Sequence, residues 1–453
     1  MKLRFLALAL SNYLVQAWRS PRSFFAKVLV RFGQTPIQSK YGFTSIGGQQ
    51  ERDFDVNIFP ASPGKWNGRV LHVLTNSLPY SKGGYALRSQ AILKAQLDLG
   101  IVATGITRLG YPLDIGRLPK LQEESVENVR YRRSLPTFFP VSFRRQIQKH
   151  AEFIASVARE ERVSVLHTTT PWPNAAATSL AAQQLGLPWV YEVRGEPEST
   201  WVAAQRDTQR TLNSRYYRSS RAKETEAMHA AAAVIALSQA SSTEIRSRGV
   251  NTPIWVIPNS VDSSWGQLRQ SKQAARNRLG LSQNRYVGAV SSIVGYEGFD
   301  TLILALHHLP EDICVLLVGD GSELPALRRL AASEGLEERV VFAGRQEREE
   351  IHLWYSALDV FVVPRKESRL TRTVTPMKTL QARAFGIPIV ASDLPALREA
   401  AGGSASFVHS EAPDAFAAAI LDVLEAGALA ATSGSVPTWG DAAREYLSVY
   451  SNL

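Results

Sequence analysis

The stretch that decides the fold spans Arg365–Glu399 and reads RKESRLTRTVTPMKTLQARAFGIPIVASDLPALRE. It predicts a loop, a helix of roughly three turns over Pro376–Phe385, a strand, a turn and a second helix. Thr375 is expected to cap the amides at the start of the first helix, and Gly386 to end it in a left-handed conformation. The apolar run 359–363 predicts a buried parallel strand. The loop therefore leads from the carboxyl end of a strand to the amino end of a helix.

Basic side chains crowd this loop at a place where ligands bind in open α/β sheets. The loop cations are Arg365, Lys366, Arg369 and Arg372. Lys378 lies in the first turn of the predicted helix, where a cation opposes the helix dipole. An anion bound between Lys378 and the loop would relieve that conflict. A solvated basic loop is the alternative, but strand, helix start and charge together favour an anion site.

The same segment resembles the donor-binding segment of family-4 retaining glycosyltransferases. The resemblance holds especially for a bacterial subgroup that reads R-L-T-E-x-x-T-P-L-K-x-L-E-A-M-A-x-G-x-P-V-V-A-S-D. Arg372 and Gln381 stand where this subgroup has glutamates, and Arg383 replaces an apolar residue. The second glutamate binds the donor ribose in the family, so its replacement concerns donor affinity. Glutamine still offers an amide donor and a carbonyl acceptor.

The composition fits two α/β domains, since the chain has 453 residues of which 45% are hydrophobic. The single cysteine, Cys314, lies in an apolar run and is interpreted as core packing. One cysteine permits no disulfide framework, so a cytoplasmic protein is expected. No stretch reaches the ~20 apolar residues of a membrane-spanning helix.

The charge is concentrated at the N-terminus, because residues 1–50 carry +7 of the net charge of +10 and contain no acid. A nucleic-acid-binding protein would need basic residues over a folded face, so no nucleic-acid partner is expected. Residues 1–32 resemble an interfacial helix pair broken near Pro21, which would attach the chain to an anionic membrane surface at the inner face of the cell membrane. A secretory signal and packing on the body of the protein are the alternatives. Residues 34–66 are predicted to connect this extension to the first domain.

The first domain is predicted over residues 67–262. Two of its loops follow predicted strands, one rich in glycine and the other in charged residues. Gly83 and Gly84 follow the first strand, where glycine lets the backbone approach a phosphate, and the family places this loop at the donor. Residues 187–198 resemble the subgroup's Y-E-V-R-G segment. Arg194, Glu196 and Glu198 would then line the ligand cleft, with an exposed acidic loop as the alternative.

Two further features of this domain leave their role open. His167 ends a strand where the family often has H-x-H, and a catalytic role competes with a structural one. Basic residues also alternate with Phe138, Phe139 and Phe143, which suits an anionic membrane, a lipid-phosphate acceptor or a partly buried hinge. These basic residues are Arg130, Arg132, Arg133, Arg144, Arg145 and Lys149.

The second domain is predicted over residues 263–435, followed by a helix in 436–453 that resembles the one crossing back to the first domain. Many relatives have an arginine and a lysine for the donor diphosphate where Ser292 and Glu297 stand here. The basic loop and Lys378 could supply the missing charge. Residues 319–321 resemble the family's G-x-G loop near the donor base.

Strands and helices alternate through both halves, which predicts parallel sheets covered by helices. The resemblance implies the GT-B architecture, two Rossmann-like domains facing across a cleft, with the donor in the second. It further implies transfer of a sugar from a nucleoside diphosphate sugar, with retention, to a glycan, lipid-linked or other cell-envelope acceptor, without a metal or other cofactor. A non-catalytic GT-B scaffold and a nucleotide-sugar epimerase are the alternatives.

The resemblance also names candidate site residues. The candidate catalytic residues are His167, Lys378 and Arg372. The candidate donor-binding residues are Gly83, Gly84, Arg194, Glu196, Ser292, Tyr296, Glu297, Gly298, Gly319, Asp320, Gly321, Arg369, Thr375, Lys378, Leu380 and Gln381.

Overall fold

The computed structural model describes residues 54–203, 205, 208–409, 411–426 and 436–453. They form two compact units. Unit 1 comprises the residues up to Leu237 together with Ser242–Ile257 and Gly440–Leu453, and unit 2 comprises Ser238–Ser241 and Pro258–Trp439. The predicted amphipathic extension, residues 1–32, lies outside the described residues.

Unit 1 is built around an eight-stranded sheet. Its strands are β1 (Arg69–Leu74), β2 (Val102–Thr107), β3 (Glu123–Val126), β4 (Val129–Arg133), β5 (Val165–Thr169), β6 (Trp189–Val193), β7 (Ala233–Ala236) and β8 (Ile254–Val256). They lie in the order β3-β4-β2-β1-β5-β6-β7-β8. Only the β3–β4 pair is antiparallel among these neighbours. Every residue of β5, β6 and β7 is buried, as expected for a parallel sheet covered on both faces.

Unit 2 is built around a six-stranded parallel sheet. Its strands are β9 (Arg285–Val290), β10 (Ile313–Val318), β11 (Val340–Gly344), β12 (Val360–Val363), β13 (Ile389–Ser392) and β14 (Ala405–Val408). They lie in the order β11-β10-β9-β12-β13-β14, so the strand order reverses between β9 and β12. Ligands of open α/β sheets bind at the carboxyl ends of the strands beside such a reversal.

Helices connect these strands and cover both sheets. They are α1 (Gly84–Asp98), α2 (Phe143–Glu160), α3 (Trp172–Leu185), α4 (Pro197–Ala203), α5 (Thr208–Leu212), α6 (Arg215–Ala230), α7 (Gln239–Ser247), α8 (Lys272–Leu279), α9 (Phe299–Ala305), α10 (Leu324–Ser333), α11 (Ile351–Ala357), α12 (Arg369–Thr373), α13 (Met377–Ala384), α14 (Pro395–Ala401), α15 (Pro413–Ala426) and α16 (Trp439–Ser451). Among the described helices, none has the length and apolar character that crossing a bilayer requires. The predicted alternation of strands and helices around two parallel sheets is confirmed.

The residues just before β1, which the sequence predicts as connector, pack on unit 1. Val56 and Ile58 are buried in its core, and the amide N–H of Phe59 donates to the Ser179 hydroxyl at 3.1 Å. The ring of Trp66 packs against Tyr450 with 5.1 Å between centroids. Burial of these apolar side chains holds the segment against the sheet.

Candidate functional site

Three loops of unit 2 leave the sheet at the carboxyl ends of β9, β10 and β12. They approach each other so closely that glycine is required at several positions, of which Gly298 and Gly321 are two. A Cβ on Gly298, which has a φ of +71°, would lie 1.8 Å from the carbonyl oxygen of Pro364. A Cβ on Gly321 would lie 1.8 Å from the carbonyl oxygen of Ile293. A residue with a Cβ at either position would clash with the facing carbonyl oxygen, so only glycine lets the loops meet in this way.

Lys378 brings a cation to this edge of the sheet from the first turn of α13. Its Nζ donates to the hydroxyl of Ser291, the residue after β9, at 2.7 Å. The side chain is half-buried, and no carboxylate in the described ranges forms an ion pair with it. Burial lowers the pKa of Lys378 to about 8, with Glu297 opposing the shift and Arg365 adding to it. A bound anion would supply the missing countercharge.

Arg365 and Glu297 form a buried bidentate ion pair beside Lys378. The two guanidinium–carboxylate distances are 2.9 and 3.2 Å, and Arg365 also donates to the carbonyl oxygen of Val374 at 2.8 Å. Burial raises the pKa of the Glu297 carboxyl, but the charges of Arg365 and Lys378 outweigh this effect and lower it overall. Arg365 is thus held by Glu297, a pairing that the sequence interpretation missed.

Other cations of the loop are also paired. Lys366 Nζ lies 2.6 Å from an Asp300 carboxylate oxygen, and the exposed Arg372 donates to Glu367 at 2.6 Å. Arg369 is exposed. The prediction that Lys378 and several loop cations share one anion is therefore narrowed to Lys378, because neighbouring carboxylates neutralise three of the loop cations. Lys378 is the cation best placed to meet a ligand.

The start of α13 differs from the prediction. The helix begins at Met377, and the extended Pro376 is its N-cap without any side-chain cap. Thr375 therefore does not cap the helix, and its buried hydroxyl has no hydrogen-bond partner among the described residues. Gly386 follows the end of the helix with a φ of +61°, as predicted. Leu380 is buried and points away from solvent.

Gln381 is oriented by Tyr355 of α11, a residue that is not among the candidates from the sequence. The hydroxyl of Tyr355, which is fully buried, donates to Gln381 Oε1 at 2.9 Å. The indole N–H of Trp265 donates to the Gln381 backbone carbonyl at 3.3 Å. The side-chain oxygen is thus occupied, and the Gln381 amide N–H groups remain the donors that a ligand could meet. A tyrosine in the apolar helix α11 was the available signal.

The remaining unit 2 candidates lie on the same loops. Ser292 is exposed directly after Ser291, and the backbone carbonyl of the half-buried Tyr296 accepts from the Lys366 N–H at 3.1 Å. The Asp320 carboxylate accepts from the Gly321 N–H at 2.7 Å, which closes the turn after Gly319. Over the ranges that the structure describes, no three His, Cys, Asp or Glu residues gather as a metal site would need.

His167 lies within the core of unit 1. Its Nε2 is 3.1 Å from Glu192 and its Nδ1 is 2.6 Å from the hydroxyl of Tyr450 on α16. Burial lowers the pKa of His167, which favours the neutral ring. A neutral ring donates from Nε2 to the carboxylate and accepts at Nδ1 from the tyrosine. The contacts place His167 among the residues that join α16 to the sheet.

Arg194 and Glu196, expected to line a cleft, are buried and engaged within unit 1. Arg194 donates to Glu192 at 3.0 Å and to the Ser89 hydroxyl at 2.6 Å. Glu196 accepts from the Ser199 hydroxyl at 2.5 Å. Glu198 is buried as well, so the alternative of an exposed acidic loop is wrong. Gly83 and Gly84, by contrast, are both exposed at the start of α1.

Two family models match the chain. Residues 102–265 match the model described as Glycosyltransferase Family 4, and residues 284–426 match Glycosyl transferases group 1. The second match contains α13, which carries Lys378, and the three loops beside it.

Curated relatives match part of the chain. A D-inositol 3-phosphate glycosyltransferase of Xylanimonas cellulosilytica is 30% identical over 202 residues, 40% of this chain and 46% of its own. A GDP-mannose-dependent alpha-(1-6)-phosphatidylinositol monomannoside mannosyltransferase of Mycolicibacterium smegmatis is 31% identical over 186 residues, 39% of this chain and 49% of its own. The chain thus spans about half the length of these relatives.

Solved structures share the fold. Anabaena Alr3699/HepE in complex with UDP and glucose has a TM-score of 0.65 and 20% identity, covering 85% of this chain and 99% of that one. Sucrose-phosphate synthase from Thermosynechococcus elongatus has a TM-score of 0.63 and 20% identity, covering 84% of this chain and 94% of that one. These similarities confirm the predicted GT-B fold class.

Proposed function

We propose that the chain, which matches a Glycosyltransferase Family 4 model and a Glycosyl transferases group 1 model, is a glycosyltransferase that transfers a sugar from a nucleoside diphosphate sugar to a cell-envelope acceptor with retention of configuration. Lys378 carries this proposal: it is half-buried at the carboxyl end of β9, and no carboxylate of the described residues pairs with it. The names of similar proteins mention GDP-mannose and UDP, which supports a nucleotide donor.

Lys378 would bind the diphosphate of the donor. Negative charge grows on the bridging oxygen as the bond from the anomeric carbon breaks, so a fixed cation there favours the transition state over the ground state. Ser291 holds the Nζ of Lys378 in place at 2.7 Å. Gln381 would direct its free amide to the ribose, next to the phosphates on the same helical face.

The proposed transfer needs no side-chain base. The acceptor hydroxyl attacks the anomeric carbon from the face that the diphosphate leaves, and its proton passes to the departing phosphate oxygen. One carbon–oxygen bond forms and one breaks, and the products are the glycoside and the nucleoside diphosphate. Neither a metal nor another cofactor has a part in this proposal, and the protein would work at the inner face of the cell membrane.

Mass spectrometry of products tests the proposal. The protein is incubated with a panel of UDP-, GDP-, ADP- and dTDP-sugars and a membrane extract, and the masses of acceptor and nucleotide are followed. A new species heavier by one sugar unit, together with free nucleoside diphosphate, is expected. Hydrolysis without transfer would contradict the acceptor class, and silence with every donor would favour the scaffold.

The affinity for UDP or GDP is expected to fall by up to about tenfold between pH 7 and pH 9. Lys378 is charged below its pKa of about 8 and neutral above it, so its charged fraction falls about tenfold over this range. The terminal phosphate, with a pKa of about 6, is mostly ionised throughout. Calorimetric titration measures the change. Lys378→Arg keeps the charge and should flatten the profile, whereas an equal slope in that variant would assign the titration elsewhere.

Gln381→Ala is expected to weaken nucleotide binding by about 0.5–1.5 kcal/mol, the value of one neutral hydrogen bond. Gln381→Glu should keep or tighten binding, because one carboxylate oxygen can retain the Tyr355 hydroxyl and the other can accept from the ribose. Calorimetry with the identified nucleoside diphosphate compares the variants. Gln283→Ala, which removes an exposed glutamine before β9, is the matched control. Weaker binding by Gln381→Glu than by Gln381→Ala would remove Gln381 from the ribose.

A further inference from the structure

Exposed apolar side chains concentrate in two segments of unit 1. Of the nine large apolar side chains that are exposed in the described part of the chain, five lie within residues 115–141. They are Ile115, Leu118, Leu121, Phe138 and Val141. Phe138 is 79% exposed, the largest value of the nine. Such a concentration is uncommon on the surface of a protein that only meets water.

The two segments form one surface because they follow neighbouring strands. Residues 108–121 follow β2 and residues 134–142 follow β4, and these strands pair in parallel, so both segments leave the same edge of the sheet. Leu113 of the first segment and Leu135 of the second pack together, with Phe139 against them. We call residues 115–121 together with 138–145 the apolar-basic surface.

Cations without acidic partners complete this surface. Arg117, Lys120, Arg144 and Arg145 are exposed, and over the described ranges none of them forms an ion pair. The other arginines of the predicted basic set are held by acids: Arg133 is buried on Glu124 at 2.9 Å, and Arg132 lies 2.8 Å from Glu160. The structure therefore divides the set into cations held in the fold and cations available to a partner.

The geometry of α2 presents two of these cations together. The Ser142 hydroxyl caps the helix by accepting from the Arg145 N–H at 3.3 Å, and the first turn contains no acid. An open pocket of about 650 Å³ lies beside this turn, with Val141 and Arg145 in its wall. Lys149 also lines it but pairs with Glu152 at 2.7 Å, so Arg145 is the cation of this pocket that could meet a lipid phosphate.

The apolar-basic surface adjoins the edge of the sheet at which a ligand of unit 1 would bind. Phe143, the first residue of α2, packs on the ring of Trp172 with 5.5 Å between centroids. Trp172 begins α3 after β5, at the carboxyl ends of the parallel strands. Ligands of open α/β sheets bind at that edge, so a partner on the surface would lie close to a bound acceptor.

We propose that the apolar-basic surface docks on an anionic lipid bilayer, and that the acceptor is a lipid held in that bilayer. The apolar side chains enter the interfacial region while the four cations meet lipid phosphates. Aromatic and aliphatic side chains among unpaired cations match this environment, in which apolar and anionic groups lie within a few ångströms of each other. The docking stands by itself, whereas the identity of the acceptor rests on the proposed glycosyl transfer.

A fluorophore on the surface tests the docking directly in the full chain. Cys314, which is buried, is replaced by alanine, and Phe138→Cys is labelled with an environment-sensitive dye. Vesicles of phosphatidylglycerol and phosphatidylcholine should shift its emission to the blue, and vesicles of phosphatidylcholine alone should not. The control is Leu99→Cys, which lies before β2 and therefore at the amino ends of the same parallel strands. It should not respond. No response from Phe138→Cys, or equal responses from both sites, overturns the proposal.

Vesicle co-sedimentation gives the energetic test. Each cation near an anionic surface contributes about fivefold in partitioning, so Arg144→Gln with Arg145→Gln should reduce binding by roughly 25-fold at low salt. Arg328→Gln with Arg329→Gln on α10 removes the same charge from unit 2 and should change little. Equal losses in both double variants contradict the assignment of the surface. The proposal is also contradicted if the protein forms a dimer through this surface, which Phe138→Ser would abolish.

The acceptor part has its own measurement. Transfer to lipid extract should fall in Arg144→Gln with Arg145→Gln, while calorimetric binding of the nucleoside diphosphate stays at the parent value. If the parent protein itself binds no nucleoside diphosphate, the proposed function is refuted and the docking result still stands. Full transfer to lipid by the double variant would refute the lipid acceptor alone.

Discussion

Lys378→Ala is expected to weaken binding of UDP or GDP by roughly 10- to 150-fold. The substitution removes a charge-assisted contact worth about 1.5–3 kcal/mol, and each ~1.4 kcal/mol corresponds to a factor of ten. The effect should be large because Lys378 is half-buried beside Ser291, where solvent screens its charge less than on an open surface. Isothermal titration with both nucleotides measures it, since either base leaves the diphosphate contact the same.

Lys272→Ala is the matched control for this prediction. Lys272 pairs with Asp359 at 2.7 Å before β12, at the opposite edge of the same sheet. Asp359 also pairs with Arg276, so the control leaves no carboxylate without a cation. Nucleotide affinity should be unchanged in this variant. If Lys378→Ala binds both nucleotides as tightly as the parent, the donor does not bind here and the scaffold alternative becomes the better account.

The elements around this site could be predicted from sequence because local signals agree there. The apolar run before the basic loop forms β12, the segment from Met377 forms α13, and Gly386 ends it in a left-handed conformation. Backbone preference and strand hydrophobicity depend on near neighbours alone. The cap was wrong because Pro376 adopts the extended conformation itself, which moves the helix start by one residue.

The pairing of side chains could not be predicted in the same way. Glu297 and Arg365 are 68 residues apart, and Tyr355 and Gln381 are 26 residues apart. A glutamate where relatives have lysine suggested a lost charge, and in the structure this glutamate also pairs with Arg365 from a different loop. An ion pair between two loops can be recognised only when the fold brings the loops together.

The side chains of β5 and β6 were uncertain for another reason. Every residue of these strands is buried, so alternation cannot separate the side that faces a ligand from the side that faces a helix. His167 and Glu192 lie in that double-sided core. Because their polar contacts lie inside the core, a substitution of Glu192 is expected to change the stability of unit 1.

Glu192→Leu is expected to destabilise unit 1 by about 3–5 kcal/mol, because it removes the buried carboxylate that pairs with two buried arginines. Arg88 Nε lies 2.7 Å and Arg194 Nη2 3.0 Å from the Glu192 carboxylate, and all three side chains are buried. The hydroxyl of Tyr446 on α16 also donates to Glu192 at 3.1 Å. The substitution therefore loosens α16 as well as the sheet. Urea unfolding with hydrogen exchange of the peptides of β1, β5 and β6 measures the loss.

The pH dependence of this loss separates charge from packing. Burial raises the pKa of the Glu192 carboxyl, but Arg194 and Arg88 outweigh it and hold the pKa well below the ordinary value of 4.5. A depressed pKa contributes stability that is full above pH 4.5 and is lost as the pH falls toward the folded-state value. The difference in unfolding free energy between parent and Glu192→Leu should therefore shrink on acidification.

Two controls bound this prediction. Glu160→Gln breaks the exposed pair with Arg132 and should leave the unfolding of unit 1 nearly unchanged, since exposed pairs contribute little. The peptides of β9 and β10 in unit 2 serve as an internal reference, and their exchange should match that of the parent. A Glu192→Leu protein as stable as the parent, or one whose loss is constant from pH 7 to pH 3, would contradict an ionised carboxylate at the centre of this network. The stability of α16 on the sheet would then have to come from the aromatic contacts of Tyr446 and Tyr450 with His167.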